Sequence, residues 1–138
     1  MRFFLPALLC LLTALPTAAQ PDVTWDVLAR VKVVQDGALY VPEFEPAVAR
    51  YDGQKVVVRG FMVPLQQAPK QQHFLLSSFP AADCFFCLPG GPESFIEIKL
   101  DAPVDFEYEP VDVTGVLRVM TDDPGGMYYR LDEAVVRS

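Results

Sequence analysis

Downstream of Asp52-Gly53 the chain is cut by proline and glycine into short runs rich in β-branched and aromatic residues. The dividers are Pro80, the stretch Leu88-Pro-Gly-Gly-Pro92, Pro103, Pro110 and the turn Asp122-Asp-Pro-Gly-Gly126. Proline lacks a backbone donor and glycine admits turn conformations, so such clusters interrupt helices and central strands alike. Little room for a helix remains after residue 50. The runs between dividers predict five strands, over residues 55–65, 71–79, 94–100, 111–120 and 127–136.

The first run, KVVVRGFMVPL, alternates Val56, Val58, Gly60 and Met62 on one face with Val57, Arg59, Phe61 and Val63 on the other. Gly60 in its middle predicts a bulge or sharp bend, and Pro64 should end regular pairing. Five short strands with a bent first strand favour an all-β fold, a small five-stranded OB-like barrel, over a sandwich of about seven strands or more. Ahead of the barrel, residues 24–33 place Trp25, Leu28, Ala29 and Lys32 at helical spacing. A short N-terminal helix is expected there, with Thr24 or Asp22 as N-cap. Residues 40–48 carry Pro42 and Pro46 among alternating acidic and apolar residues and read as irregular.

The chain opens with Met1-Arg2, an apolar run from Phe3 to Leu15, and the small-residue triplet Thr17-Ala18-Ala19 before Gln20. That order is the order of a secretory signal peptide, expected over residues 1–19 with cleavage after Ala19. The run is too short and too broken by Pro6, Thr13 and Pro16 for a spanning helix of about 20 residues. Cys10 lies inside it, with further apolar residues behind, so no lipid anchor is expected. Residues 20–138 then form one domain, periplasmic or secreted, with no membrane insertion after cleavage. The whole chain has a net charge of −7, and the leader contributes Arg2 and no acid, so the exported part is more acidic still. No basic run is present to displace counterions from a phosphate backbone, which argues against nucleic acid as a partner.

Of the three cysteines, only Cys84 and Cys87 lie beyond the leader, so no multi-disulfide scaffold is available. They form a Cys-x-x-Cys in the connection between the second and third predicted strands. Thiols at this spacing can ligate Zn or Cu(I), cycle as a redox dithiol, or close into a structural bridge, and the spacing alone leaves all three open. An oxidising compartment favours the bridge, and a glycine- and proline-framed loop suits thiolate ligands. A thioredoxin-like site would need a helix opening at the motif, which Pro89, Gly90 and Gly91 oppose.

His73, the single histidine, is a candidate third ligand at the start of the second strand, against the plainer reading of an exposed strand-end residue. Met62 and Met127 are soft thioethers that more often fill cores. Asp83, Asp122 and Asp123 are read as solvated turn residues, and Glu107 and Glu109 as solubilising acids. No Gly-x-Ser-x-Gly elbow, HExxH or phosphate-binding glycine loop occurs, so no enzymatic activity is expected.

The segments YDGQKVVVRGFMVPL, HFLLSSFPAADCFFC and GPESFIEIKL resemble domain-of-unknown-function family 3299, a group of exported bacterial proteins. The match is carried by Asp-Gly-x-x-Val, Gly-Phe-Met-x-Pro-Leu, Phe-Leu-Leu and a cysteine loop with proline, and it spans residues 40–136. The resemblance implies an OB-like barrel in the periplasm and, for some members, an association with transition-metal uptake systems that include transport ATPases. Many members carry Cys-x-His and a proline run in that loop, where this chain has Cys84-Phe-Phe-Cys87 and Leu-Pro-Gly-Gly-Pro. Only Cys84 matches the family's cysteine position, so the ligand set does not transfer.

The resulting expectation is a non-enzymatic binding protein, accessory to metal handling, that takes Zn or Cu through Cys84 and Cys87 with His73 as a third ligand. Its partners would be metal-transport or envelope proteins. The alternative is an interaction module in which Cys84 and Cys87 form a disulfide and Phe85 and Phe86 contact the partner. A thiol-disulfide redox protein is the third reading.

Overall fold

The computed structural model describes residues 18–80 and 90–137. In chain order the elements are α1 (Trp25–Leu28), β1 (Val31–Asp36), β2 (Leu39–Phe44), α2 (Pro46–Ala49), β3 (Lys55–Pro64), β4 (Lys70–Ser77), a single 3-10 turn (Pro92–Ser94), β5 (Phe95–Asp105), β6 (Val111–Val119) and β7 (Tyr129–Arg137).

Strands β3 to β7 close into one barrel in the order β3-β4-β5-β7-β6, with β6 returning to β3. All neighbours are antiparallel except β5 and β7, which run parallel. This is the five-stranded OB-type arrangement expected from the sequence. Alternation explains its core: Val56, Val58 and Met62 point inward from β3, Phe74 and Leu76 from β4, Ile96 and Ile98 from β5, and all are buried. Strand β3 is long because it serves two neighbours. Lys55–Gly60 pair with β6, and Phe61–Pro64 pair with β4.

Gly60 marks that change of partner, as the last residue of the β6 register before Phe61 opens the β4 register, and neither register carries a bulge. It is required for close approach: a Cβ there would stand 2.7 Å from the Ser77 carbonyl oxygen and 2.9 Å from Leu76 Cγ. The bulges lie elsewhere, between Gln71 and His73 in the β4–β5 pair and between Thr114 and Val116 in the β6–β7 pair. Strand β5 continues past its expected end at residue 100 and through Pro103 to Asp105. The first of those bulges leaves Pro103 out of the ladder, so its missing donor costs no pair.

The N-terminal region departs most from expectation. The helix spans Trp25–Leu28 rather than 24–33, and Lys32 belongs to β1. Thr24 occupies the N-cap position but makes no side-chain capping bond. Residues 40–48, expected to be irregular, supply most of β2 and most of α2. Val31, Val33 and Val34 lose little in a strand, and pairing with Leu39–Phe44 gives them partners that isolated helical spacing could not reveal. Pro42 sits in a two-stranded ribbon, and Pro46 opens α2 at a position that needs no donor.

This N-terminal segment closes the barrel. Val23 N–H donates to the Val57 carbonyl (2.9 Å) and Val57 N–H to the Pro21 carbonyl (3.0 Å), adding a short parallel bridge to β3. Val23, Leu28 and Val48 join the core cluster. The Tyr129 hydroxyl donates to the Leu28 carbonyl at 2.6 Å, and burial pushes its phenol well above the ordinary range, with Glu93 and Tyr128 adding to the shift. Tyr129→Phe leaves the buried Leu28 carbonyl without this donor. It should cost about 1–2 kcal/mol in urea unfolding with an unchanged slope, and a smaller loss would mean that the carbonyl finds another donor.

Candidate functional site

The connection from β4 to β5 leaves the barrel from two paired strand ends. Ser77 lies opposite Phe95, and Ser78 N–H donates to the Ser94 carbonyl at 3.1 Å. On the outgoing limb Phe79 N–H donates to Ser77 Oγ at 3.0 Å. On the returning limb Ser94 N–H reaches the Gly91 carbonyl (2.9 Å), and Gly91 N–H donates to Glu93 Oε1 (3.2 Å). Gly90 has a φ of +95°, a conformation open to glycine at little cost. The foot of the connection is therefore tied on both limbs. Asp83, Cys84, Phe85, Phe86 and Cys87 lie outside the described residues.

His73 stands on the outer face of β4, beside Lys99 in register. Its Nε2 lies 2.9 Å from Glu97 Oε1, and Lys99 Nζ is 3.3 Å from the same oxygen. The Glu97 side chain is only 15% exposed, so this carboxylate is held where it can orient the imidazole. His73 precedes Ser77 by four strand positions, roughly 13 Å of strand from the foot of the loop. Glu97 was not singled out in the sequence. Its signal was its position on the outward parity of β5, which becomes meaningful only once β5 is in register with β4.

The other candidates separate. Met62 is buried inside the barrel, where it fills the core. Met127 lies on the β6–β7 connection, with its N–H donating to Asp123 Oδ2 at 3.0 Å. That bond, with Gly126 N–H to the Asp123 carbonyl (2.9 Å), makes Asp123 a turn-forming residue. Glu107 and Glu109 are exposed. Among the described residues, no group of three or more His, Cys, Asp or Glu side chains converges as a metal site.

Two further features were not foreseen. Asp132 receives Arg118 Nε on Oδ2 (2.9 Å) and Arg130 Nε on Oδ1 (2.8 Å). Partial burial would raise its carboxyl, but the two guanidinium bonds prevail and hold it below the usual carboxylate range. The β1–β2 ribbon, whose Phe44 packs on Tyr128 and Tyr129, also borders a cleft of about 440 Å³ with Ala49, Asp52 and Val119.

A small closed barrel of this order, with its N-terminal segment packed into its core, defines an OB-type domain, and the fold alone names no ligand. The chain belongs to DUF3299, a family of proteins of unknown function, whose model matches residues 28–137. The crystal structure of a DUF3299 family protein from Pseudomonas aeruginosa PAO1 is similar in fold. It is 20% identical, with a TM-score of 0.58 over 88% of this chain and 98% of that one. No curated protein matches the chain.

Proposed function

We propose that this protein is a non-enzymatic binding module of the cell envelope that takes Zn or Cu(I) through the thiolates of Cys84 and Cys87. The observation that carries the reading is the Cys-x-x-Cys itself, placed in a connection whose two limbs are tied at Ser78 and Ser94. Two thiols three positions apart on such a loop have a short path to one soft centre, and Zn and Cu(I) are the ions that thiolates select. His73 enters as third ligand through Nδ1, because Nε2 is engaged by Glu97. Metal-handling or transport components of the envelope are the partners this chemistry fits.

The competing reading is an interaction module with a Cys84–Cys87 disulfide and Phe85 and Phe86 as contacts. It draws on Phe79, which is 40% exposed at the foot of the same loop.

Thiol titration with metal analysis separates the two readings. Protein isolated from the envelope fraction should carry close to one equivalent of Zn or Cu with both thiols reactive after chelation. The Cys84→Ser/Cys87→Ser variant should carry none. Metal-free protein without titratable thiols would overturn the metal reading in favour of the bridge. Thiols that open and close reversibly without metal would favour the redox reading.

A further inference from the structure

The β1–β2 ribbon is a two-stranded sheet. Strand β1 pairs with β2 on one side and with no other strand among the described residues on its other side. A ribbon of two strands is marginal by itself, and an unpaired strand edge is a template for another strand. The ribbon is also apolar where it meets solvent: Val33 is 59%, Leu39 69% and Tyr40 73% exposed.

Edge strands usually carry lysine to discourage pairing, and β1 has Lys32. It also has Asp36 on the same face, four residues on, with Val34 midway between them. This spacing is self-complementary. If β1 meets β1 of a second copy antiparallel about a two-fold axis at Val34, Lys32 falls opposite Asp36 of the second copy, and the symmetric pair repeats it. Val34 then meets its own equivalent.

The ribbon's own register extends the match. Val34 is paired with Val41, so the central row becomes Val41-Val34-Val34-Val41 across four strands. Lys32 is paired with Glu43 and Asp36 with Leu39, so each flanking row places the lysine between two acids. In this pairing the lysine that would discourage an arbitrary strand gains a second acid opposite it, beside Glu43 of its own ribbon.

We propose that the protein forms an isologous dimer through β1, joining two ribbons into one four-stranded antiparallel sheet with Val34 on the two-fold axis. A symmetric edge contact of this kind closes on itself and does not propagate into fibres.

Sedimentation equilibrium on the purified full-length domain tests the inference. The wild type should be dimeric. Lys32→Glu and Asp36→Lys each place like charges opposite one another twice, and each should raise the dimer dissociation constant roughly tenfold. The double exchange Lys32→Glu/Asp36→Lys should restore wild-type association, an outcome that general loss of the ribbon would not produce. A wild type that stays monomeric at high concentration overturns the proposal. So does a dimer indifferent to both single reversals, or a double variant no tighter than the singles. The result is independent of metal content, which is read separately.

Discussion

Gly60→Ala should lower the stability of the domain by about 3 kcal/mol or more, near the upper end for overpacked interiors. For a chain of this size that corresponds to a fall in melting temperature of roughly 10–15 °C. The cause is local and steric. The new methyl group would meet the Ser77 carbonyl oxygen at 2.7 Å, Leu76 Cγ at 2.9 Å and Trp25 Cζ2 at 3.0 Å. The first of these is backbone in a paired strand, and Ser77 is itself in register with Phe61 and with Phe95. Relief would require β3 and β4 to separate at the point where β3 exchanges β6 for β4. Trp25 is held in addition by its indole N–H, which donates to the Arg59 carbonyl at 2.8 Å. Arg59→Ala, at the adjacent exposed position, removes only a surface ion pair with Asp112 and should cost less than about 1 kcal/mol. A calorimetric melt of Gly60→Ala within about two degrees of wild type would mean that the crossing has slack the geometry does not show.

Leu28→Ala should cost about 3 kcal/mol, within the range for buried leucines whose surroundings collapse only in part. Leu28 is fully buried and belongs to the main core cluster, although it comes from a helix of four residues outside the barrel strands. So short a helix contributes little stability of its own, since nucleation consumes what its few hydrogen bonds return. Leu28 therefore measures how strongly the N-terminal segment is held as a plug. Urea unfolding should show a lower midpoint with the same slope as wild type, as expected for a cavity without loss of cooperativity. A loss below about 1 kcal/mol would place Leu28 at a site that refills, and the barrel end would then be closed mainly by Val23 and Val48. A broadened transition would mean that the plug unfolds before the barrel.

The comparison of sequence and structure divides along the chain. In β3 the two faces were readable directly, and Val56, Val58 and Met62 of one set are all buried, although Val63 of the other set is buried as well. The turns around Asp52-Gly53 and Asp122–Gly126 were equally readable, since their residue types are demanded by backbone conformation. Gly53 and Gly126 both adopt positive φ. At Gly60 the glycine was recognised but its reason was not. A bulge and a close approach leave the same mark in one sequence, and only the positions of Ser77 and Trp25 distinguish them.

The N-terminal third was misread for a different reason. Trp25, Leu28, Ala29 and Lys32 do fall at helical spacing, and the first two do face the core. The spacing over-extended the helix because Val31, Val33 and Val34 find strand partners seven to thirteen residues downstream, across a turn with Gly37 at positive φ. Pairing energy of this sort is absent from any window read on its own.

The same limit applies to the candidate site. Cys84 and Cys87 were legible as a pair of thiols by spacing, and His73 as the single imidazole, because chemistry resides in residue identity. That His73 meets Glu97, which in turn meets Lys99, follows from the β4–β5 register and its bulge at Gln72. By itself, then, the sequence determined the class of fold, the two faces of β3 and the presence of two thiols three positions apart, since periodicity, turn chemistry and residue type act locally. Only the tertiary structure decided which strands adjoin, why Gly60 admits no side chain, how residues 21–28 close the barrel and which carboxylate faces the histidine. Those depend on contacts between segments far apart in the chain, and their energies exist only once the barrel has closed.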